Sequence, residues 1–316
     1  MKSILAKSAA GSSLLLLGLA MAGTAVAASD YYEFSSFGGL GSEYDVDSYG
    51  NTIYYGGGTS VYAVDVAIAD MSKKEEPRYL ADGITPNPNY QVRTFSNNRP
   101  ITLTGAPKTL YSASIGEMWV DANHIYTAAT DNSILAFDKT TGAYTSSMNY
   151  VGGLDGTGWG YGDTFLSYGG GLWWAAHENS RVFSSSDGMN WTYEFTWPSM
   201  GGGHGDGMEW VNGSIFVSDM TSNFIAQWQK TGGVWNETNR FAYTEAGGVN
   251  KYVEGMGFGA LGHFWAGSGS EIYELGGGEI QVVIDDPDPT VPEPGMLLLF
   301  GTGLLGLIGA RRRRSA

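Results

Sequence analysis

One pattern recurs five times along this chain: a short apolar strand, a small turn, and a second strand whose apolar positions alternate. Asn51-Thr-Ile-Tyr-Tyr-Gly-Gly-Gly leads into Ser60-Val-Tyr-Ala-Val-Asp-Val. His124-Ile-Tyr-Thr-Ala-Ala leads into Ser133-Ile-Leu-Ala-Phe-Asp. Gly171-Leu-Trp-Trp-Ala-Ala, Gly213-Ser-Ile-Phe-Val-Ser-Asp and Gly262-His-Phe-Trp-Ala-Gly are each followed by a partner of the same kind. With Ile125, Leu172, Ile215 and Phe264 as markers, the steps are 47, 43 and 49 residues. From Ile53 to Ile125 the step is 72.

A period of this length is that of a four-stranded propeller blade. A small sheet with alternating apolar positions cannot cover both of its faces alone, and radial stacking covers them while leaving only short edges. The chain therefore reads as an all-β propeller of five blades. Six blades, or a β-sandwich of the jelly-roll type, are the alternatives. The 72-residue step is one blade with an insertion, or two blades with one poorly marked. The insertion falls near Met71 to Pro107, where Lys73, Lys74, Glu75, Glu76 and several prolines mark an exposed excursion. Tyr31-Tyr-Glu-Phe34 is placed to supply a strand that closes the ring. The 48 glycines and the 13 % aromatic content suit short aromatic strands joined by glycine turns. The runs at 56–58, 169–171, 201–203 and 276–278 read as such turns. Between leader and tail nothing sustains a 3.6-residue period for ten residues, so no helix is expected there.

The two ends carry a different message. Lys2 and Lys7 precede an apolar run anchored by Leu14 to Leu19, and Ala25-Val26-Ala27 is an A-x-A cleavage site. Residues 1–27 thus read as a signal peptide and 28–284 as the propeller domain. Residues 285–291 are an acidic, proline-rich linker, and 292–316 form a tail. The chain has no cysteine, which excludes disulfides and a lipoprotein anchor. No twin-arginine pair is present, so general secretion is expected.

The tail opens with Pro292-Glu293-Pro294, continues through the uncharged stretch Met296 to Ala310, and ends in Arg311, Arg312, Arg313 and Arg314. As a helix the stretch would reach roughly 22 Å, short of a hydrocarbon core of about 30 Å, so spanning needs local thinning and snorkelling of the arginines. The arginines act as a membrane stop on the cytoplasmic side. In order and position these elements resemble the PEP-CTERM sorting tail. The resemblance implies that Pro292, Glu293 and Pro294 are recognised by exosortase, a membrane-embedded transpeptidase. It also implies export across the bacterial inner membrane, transient anchoring, and delivery to the cell surface or the extracellular space. Proteins with this tail occur in bacteria that make extracellular polysaccharide, so a biofilm-matrix role and a polysaccharide partner are expectations of the resemblance.

Charge narrows the partners. The net charge is −15, but the leader lysines and tail arginines are six of the 17 basic residues, leaving 11 against the 32 acidic residues of the stretch from Ala28 to Glu293, or about −21. Such a surface repels nucleic acid and anionic lipid, keeps an exported protein soluble, and gathers divalent cations.

Residues suited to chemistry are few. Ser185-Ser186-Asp187-Gly188-Met189-Asn190-Trp191 resembles an Asp-box, a turn of sialidases and related propellers in which the aspartate caps a hairpin and the tryptophan packs beneath it. The resemblance speaks for fold and not for activity, because no arginine triad is visible. His204-Gly205-Asp206-Gly207-Met208 and Val253-Glu254-Gly255-Met256 each precede a marked strand pair, and Gly160-Tyr161-Gly162-Asp163 sits similarly one blade earlier. Innermost strands would bring Asp163, Asp206 and Glu254 toward the axis. The arrangement is similar to the calcium sites of six-bladed hydrolases of the gluconolactonase type. His204 lies beside Asp206, and Trp159 and Tyr161, like Trp173 and Trp174, offer faces for a sugar ring unless they pack between blades. No zinc-ligand spacing, nucleophile elbow or phosphate loop is present. The expectation is a non-enzymatic binding or structural surface propeller with no catalytic residues. Its alternative is a calcium-dependent hydrolase or lyase acting on extracellular carbohydrate or lactone.

Overall fold

A computed structural model of the chain describes residues 31–43, 45–57, 59–70, 76, 78–80, 85–110, 118–129, 133–149, 164–177, 181–197, 205–219, 224–244 and 253–277. The leader, the linker, the hydrophobic span 296–310 and the sorting motif lie outside them. Among the described residues no helix is long and apolar enough to cross a membrane. The single helical element among them is the 3₁₀ turn η1 (Ala260–Gly262).

Each repeat becomes one antiparallel four-stranded sheet. The first blade is β2 (Asp45–Tyr49), β3 (Thr52–Gly57), β4 (Ser60–Ile68) and β5 (Arg93–Thr102). The second is β6 (Met118–Val120), β7 (His124–Ala129), β8 (Ser133–Asp138) and β9 (Tyr144–Asn149). The third is β10 (Thr164–Gly169), β11 (Leu172–His177), β12 (Arg181–Ser185) and β13 (Thr192–Thr196). The fourth is β14 (Gly205–Val211), β15 (Ser214–Asp219), β16 (Phe224–Thr231) and β17 (Val234–Thr244). The fifth is β18 (Met256–Phe258), β19 (Phe264–Gly267) and β20 (Gly269–Gly277), completed by β1 (Tyr31–Glu43) from the start of the domain.

The ring therefore has five blades, and all five markers lie on the second strand of a blade. The 72-residue step is one blade with an insertion between its third and fourth strands. That insertion is shorter than the sequence suggested: β5 occupies 93–102, so the excursion ends before Arg93. The glycine runs differ in role. Gly170 and Gly171 form the expected turn, but Gly56, Gly57, Gly276 and Gly277 lie within strands. A Cβ on Gly276 would come within 2.5 Å of the Phe34 ring, so the bare backbone there is what lets β1 lie against β20.

Five apolar seams hold the ring. Tyr54, Val61 and Ile101 of the first blade meet Met118, Ile125 and Phe137 of the second. Ile134 meets Leu166, Trp173 and Ala175. Phe165, Trp174 and Val182 meet Met208, Ile215 and Val217. Phe216, Ile225 and Phe241 meet Met256, Phe264 and Tyr273. Ala260, Trp265 and Ile272 meet Val46, Ile53 and Val64 of the first blade. Each such side chain removed from water contributes about 1.5–3 kcal/mol. Trp173 and Trp174, offered above as sugar platforms, are buried in these seams.

Closure is made by β1, which pairs antiparallel with β20 from Tyr31↔Gly277 to Glu43↔Gly269 and parallel with β17 at Tyr31↔Tyr243. Beneath it Glu274 is fully buried and receives Arg93 Nε at 2.9 Å and Nη2 at 2.8 Å, the Ser35 hydroxyl, and His263 Nδ1 at 2.7 Å. Burial pushes the Glu274 carboxyl up, but the bonds and charges of His263 and Arg93 prevail and hold it below the usual carboxylate range. One carboxylate thus joins the first blade, the last blade and the closing strand.

Candidate functional site

Where the innermost strands turn into the second strands, the axis opens into a cavity of about 620 Å³. One rung of the ring explains its chemistry. Five residues of the innermost strands stand there: Asp47, Trp119, Ser167, Glu209 and Gly257. Each is paired with an aromatic residue of the second strand: Tyr54, Tyr126, Trp174, Phe216 and Trp265. The aromatic partners fill the seams, and the innermost residues face one another around the axis.

Asp47 and Glu209 reach the inner wall of the cavity, only 2 % and 6 % exposed. Asp47 Oδ1 accepts the Ser48 N–H at 2.6 Å, and Oδ2 accepts the Val120 N–H of the next blade at 2.5 Å. Gly257 makes room for it, since a Cβ there would stand 2.4 Å from the Asp47 Cα. Glu209 Oε1 accepts the Ser167 hydroxyl of the preceding blade at 2.9 Å. Burial pushes the Asp47 carboxyl up to about 8; the two N–H bonds oppose this and the charge of Asp45 adds to it. Burial also raises Glu209 well above the usual carboxylate range. The charge of Asp47 reinforces that rise, and the bonds from Ser167 and Trp210 work against it. Burial and the repulsion between the two charges thus favour protonation of the pair.

The rim is aromatic. Tyr49, Trp119, Tyr168, Trp210 and Phe258 line it, together with η1. Trp119 lies 5.4 Å from Tyr168 and 5.2 Å from Trp173, so its ring is braced from behind. Gly169 is overlaid by Trp210, whose ring would stand 2.1 Å from a Cβ at that position. Tyr49 and Tyr168 are partly exposed. Beside the rim, Lys139 Nζ sits 4.0 Å from the centre of the Tyr49 ring and donates to the Asp121 carbonyl at 2.8 Å.

The residues singled out from sequence fall at the start of the innermost strands or outside the described residues. Asp206 opens β14 and Glu254 precedes β18; both are buried. The Glu254 carbonyl accepts the Ser218 hydroxyl at 3.0 Å, and its N–H donates to the Gly267 carbonyl at 2.8 Å. Asp163, His204, Trp159 and Tyr161 lie outside the described residues, as do Pro292, Glu293, Pro294 and Arg311 to Arg314. Among the described residues no three His, Cys, Asp or Glu side chains stand close enough to hold a metal ion. The Asp-box turn has the geometry its resemblance implied. Asp187 Oδ1 accepts the N–H groups of Met189 and Asn190, each at 2.8 Å, and those bonds hold its carboxyl far below the usual range. Trp191 packs against the seam of the second and third blades.

Sequence reading missed Asp47 and Glu209. The signal was there: each stands six residues before its marker, as Trp119 does before Ile125. An acid in an innermost strand is hard to tell from a turn cap until the ring is closed around it.

The sorting tail has a match of its own: the PEP-CTERM protein-sorting motif, over residues 290–314. No curated protein matches the chain. Among solved structures, Myxococcus xanthus glutaminyl cyclase aligns over 79 % of this chain and 97 % of its own, at 10 % identity and a TM-score of 0.47. A streptogramin B lyase aligns over 79 % and 98 %, at 12 % identity and a TM-score of 0.40. The WD40 β-propeller domain of Doa1 aligns over 78 % and 97 %, at 10 % identity and a TM-score of 0.44. The chain is a five-bladed β-propeller that carries a PEP-CTERM sorting motif at residues 290–314, a motif that implies exosortase-dependent export and membrane anchoring through the C-terminal segment.

Proposed function

We propose that this protein is a surface-displayed binding propeller whose ligand site is the axial cup. The observation that carries the reading is the cup itself: a cavity of about 620 Å³ with an aromatic rim and two buried acids on its wall. The volume lies within the range of small-molecule sites, and apolar walls with a few convergent polar groups are what such sites share. Sorting to the cell surface would present this cup to solutes of the envelope or the extracellular matrix, fragments of polysaccharide among them.

A second reading has one observation in its favour. Two buried acids on one cavity wall, both with raised proton affinity, are groups that general acid–base chemistry can use. On that reading the cup would act on an extracellular carbohydrate or lactone, with Glu209 as the acid.

Both readings are tested on the full chain in a polyoxyethylene detergent, which offers neither sugar nor charge. Tryptophan fluorescence and melting temperature are followed against oligosaccharides, lactones and small ammonium compounds. Saturable changes weakened by Tyr168→Ala support the cup as the binding site. Turnover of a saccharide or lactone that Glu209→Gln abolishes selects the enzyme. No saturable response in any class overturns the cup as a ligand site.

A further inference from the structure

We propose that the cup takes a small organic cation of the ammonium class, held by the aromatic rim and neutralised by the Asp47–Glu209 pair. The inference rests on the cup being the ligand site and specifies what enters it. Three features of the wall decide the chemistry. Its ionisable side chains are Asp47, Asp121, Glu209 and two tyrosines, with no lysine, arginine or histidine among the described lining residues, so the lining offers no cationic side chain to an anion. Tyr49, Trp119, Tyr168 and Trp210 line the cup with aromatic rings, the kind of surface on which a desolvated ammonium is stable. Lys139, seated 4.0 Å from the centre of the Tyr49 ring, shows that this rim already holds an ammonium within the molecule.

A neutral guest such as a sugar leaves the buried acids as they are. A cation does not. It favours the ionised form of the nearer acid, and the energy otherwise lost in burying that charge is recovered as an ion pair inside a low-dielectric site. Asp47 is the group assigned to ionise, because the N–H groups of Ser48 and Val120 already point at its two carboxylate oxygens and favour the charged form. The titratable and charged groups around the pair are Asp45 and Tyr49 on β2, Tyr54 on β3, Asp121 beyond β6, Tyr168 on β10, and Asp206 on β14. The remaining inner strand, β18, adds Met256, Gly257 and Phe258, none of which titrates, and Glu254 precedes it. Acids and tyrosines line the pair's surroundings, and the cations near them, Lys139 at the Tyr49 ring and Arg99 at Tyr54, stand outside the cup lining. A bound cation therefore displaces a proton to solvent, and its affinity rises with pH.

The test is calorimetry of the full chain, in the same detergent, with three probes: choline, its neutral isostere 3,3-dimethylbutan-1-ol, and maltose. The proposal expects saturable choline binding that tightens at least tenfold from pH 6 to pH 9. It expects a proton to be released, read from the dependence of the heat on buffer ionisation. Tyr49→Ala or Tyr168→Ala should weaken choline several-fold. Asp47→Asn should remove the pH dependence, whereas Glu209→Gln, which copies the protonated acid, should keep it. The carboxamide introduced by Asp47→Asn can accept only one of the two N–H groups bound by Asp47, so a melt must accompany that variant; the pH series on the unaltered protein stands without it. Equal affinity for the neutral isostere, or choline binding indifferent to pH, overturns the proposal. Saturation by maltose without choline overturns it too, while leaving the cup a ligand site. Silence from all three probes overturns both.

Discussion

Ser167 and Glu209 join two neighbouring blades through a single hydrogen bond of 2.9 Å, and the same serine oxygen accepts the Trp210 N–H at 2.9 Å. The serine thus satisfies an acid and a backbone donor at the inner edge of the ring. Ser167→Ala leaves both without it in a buried place. The expected loss is about 1–3 kcal/mol, measured by urea unfolding, with little change of fold. Ser167→Thr keeps the hydroxyl and should lose less than the alanine variant.

The acid pair makes stability depend on pH in a defined direction. Asp47 titrates near 8 in the folded ring and near 4 when unfolded, so between those values the folded state holds the extra proton. Stability from this group is therefore present below pH 4, falls as pH rises from about 4 to 8, and is flat above. Glu209 acts in the same sense. Glu274 acts oppositely, contributing stability above its unfolded pKa that is lost in acid. Asp47→Asn should flatten the decline between pH 4 and 8, by about 1.4 kcal/mol for each tenfold difference in proton affinity that the substitution removes, offset in part by the lost N–H bond. Melting temperatures across that range check it.

Arg93 and Glu274 should behave as a buried pair. Arg93→Ala strands the Glu274 carboxylate and is expected to destabilise the ring by about 3–5 kcal/mol. Arg93→Met with Glu274→Leu removes both charges and should cost far less. A double-mutant cycle in denaturant reads the difference. If the two changes proved additive, the pair would not be the clasp described above.

Gly257→Ala tests the close approach of the fifth blade to the first. The added Cβ would lie 2.4 Å from the Asp47 Cα, a backbone atom that cannot swing aside. The expected outcome is a loss of more than about 2 kcal/mol, in line with overpacking of a rigid contact. Gly213→Ala has open space around its Cβ, but its φ of +80° disfavours alanine, so a milder loss is expected there.

Much of this fold could be read from the chain, and the reason is periodicity. Ile53, Ile125, Leu172, Ile215 and Phe264 repeat because every blade has the same second strand to bury. The closing strand was legible because Tyr31 to Phe34 was an aromatic-rich stretch ahead of the first repeat. The excursion was misjudged at its far end. Residues 93–102 hold Arg93, Asn97, Asn98, Arg99 and Pro100, which argue against a strand; this is an outer strand, exposed along much of its length, where β propensity decides little. The cup was not legible. Sequence reasoning looked for acids of the innermost strands and named Asp163, Asp206 and Glu254; Asp206 and Glu254 stand at the other end of those strands. Asp47 and Glu209 carry no flanking-glycine mark such as sets off Asp206 in the strand that holds Glu209, and only the meeting of the blades brings them to one cavity.

The pairing of Tyr31 with Gly277 sets a clock on how this molecule comes into being. Residues 246 positions apart share one rung, so the ring stays open until the far end of the domain has emerged. The four blades that precede it are made while one flank of the first blade and one flank of the fourth still lack their neighbours. Completion is a single late event. The innermost strands that line the cup are locked at their spacing only then, so the step that seals the ring also fixes the shape of the cup.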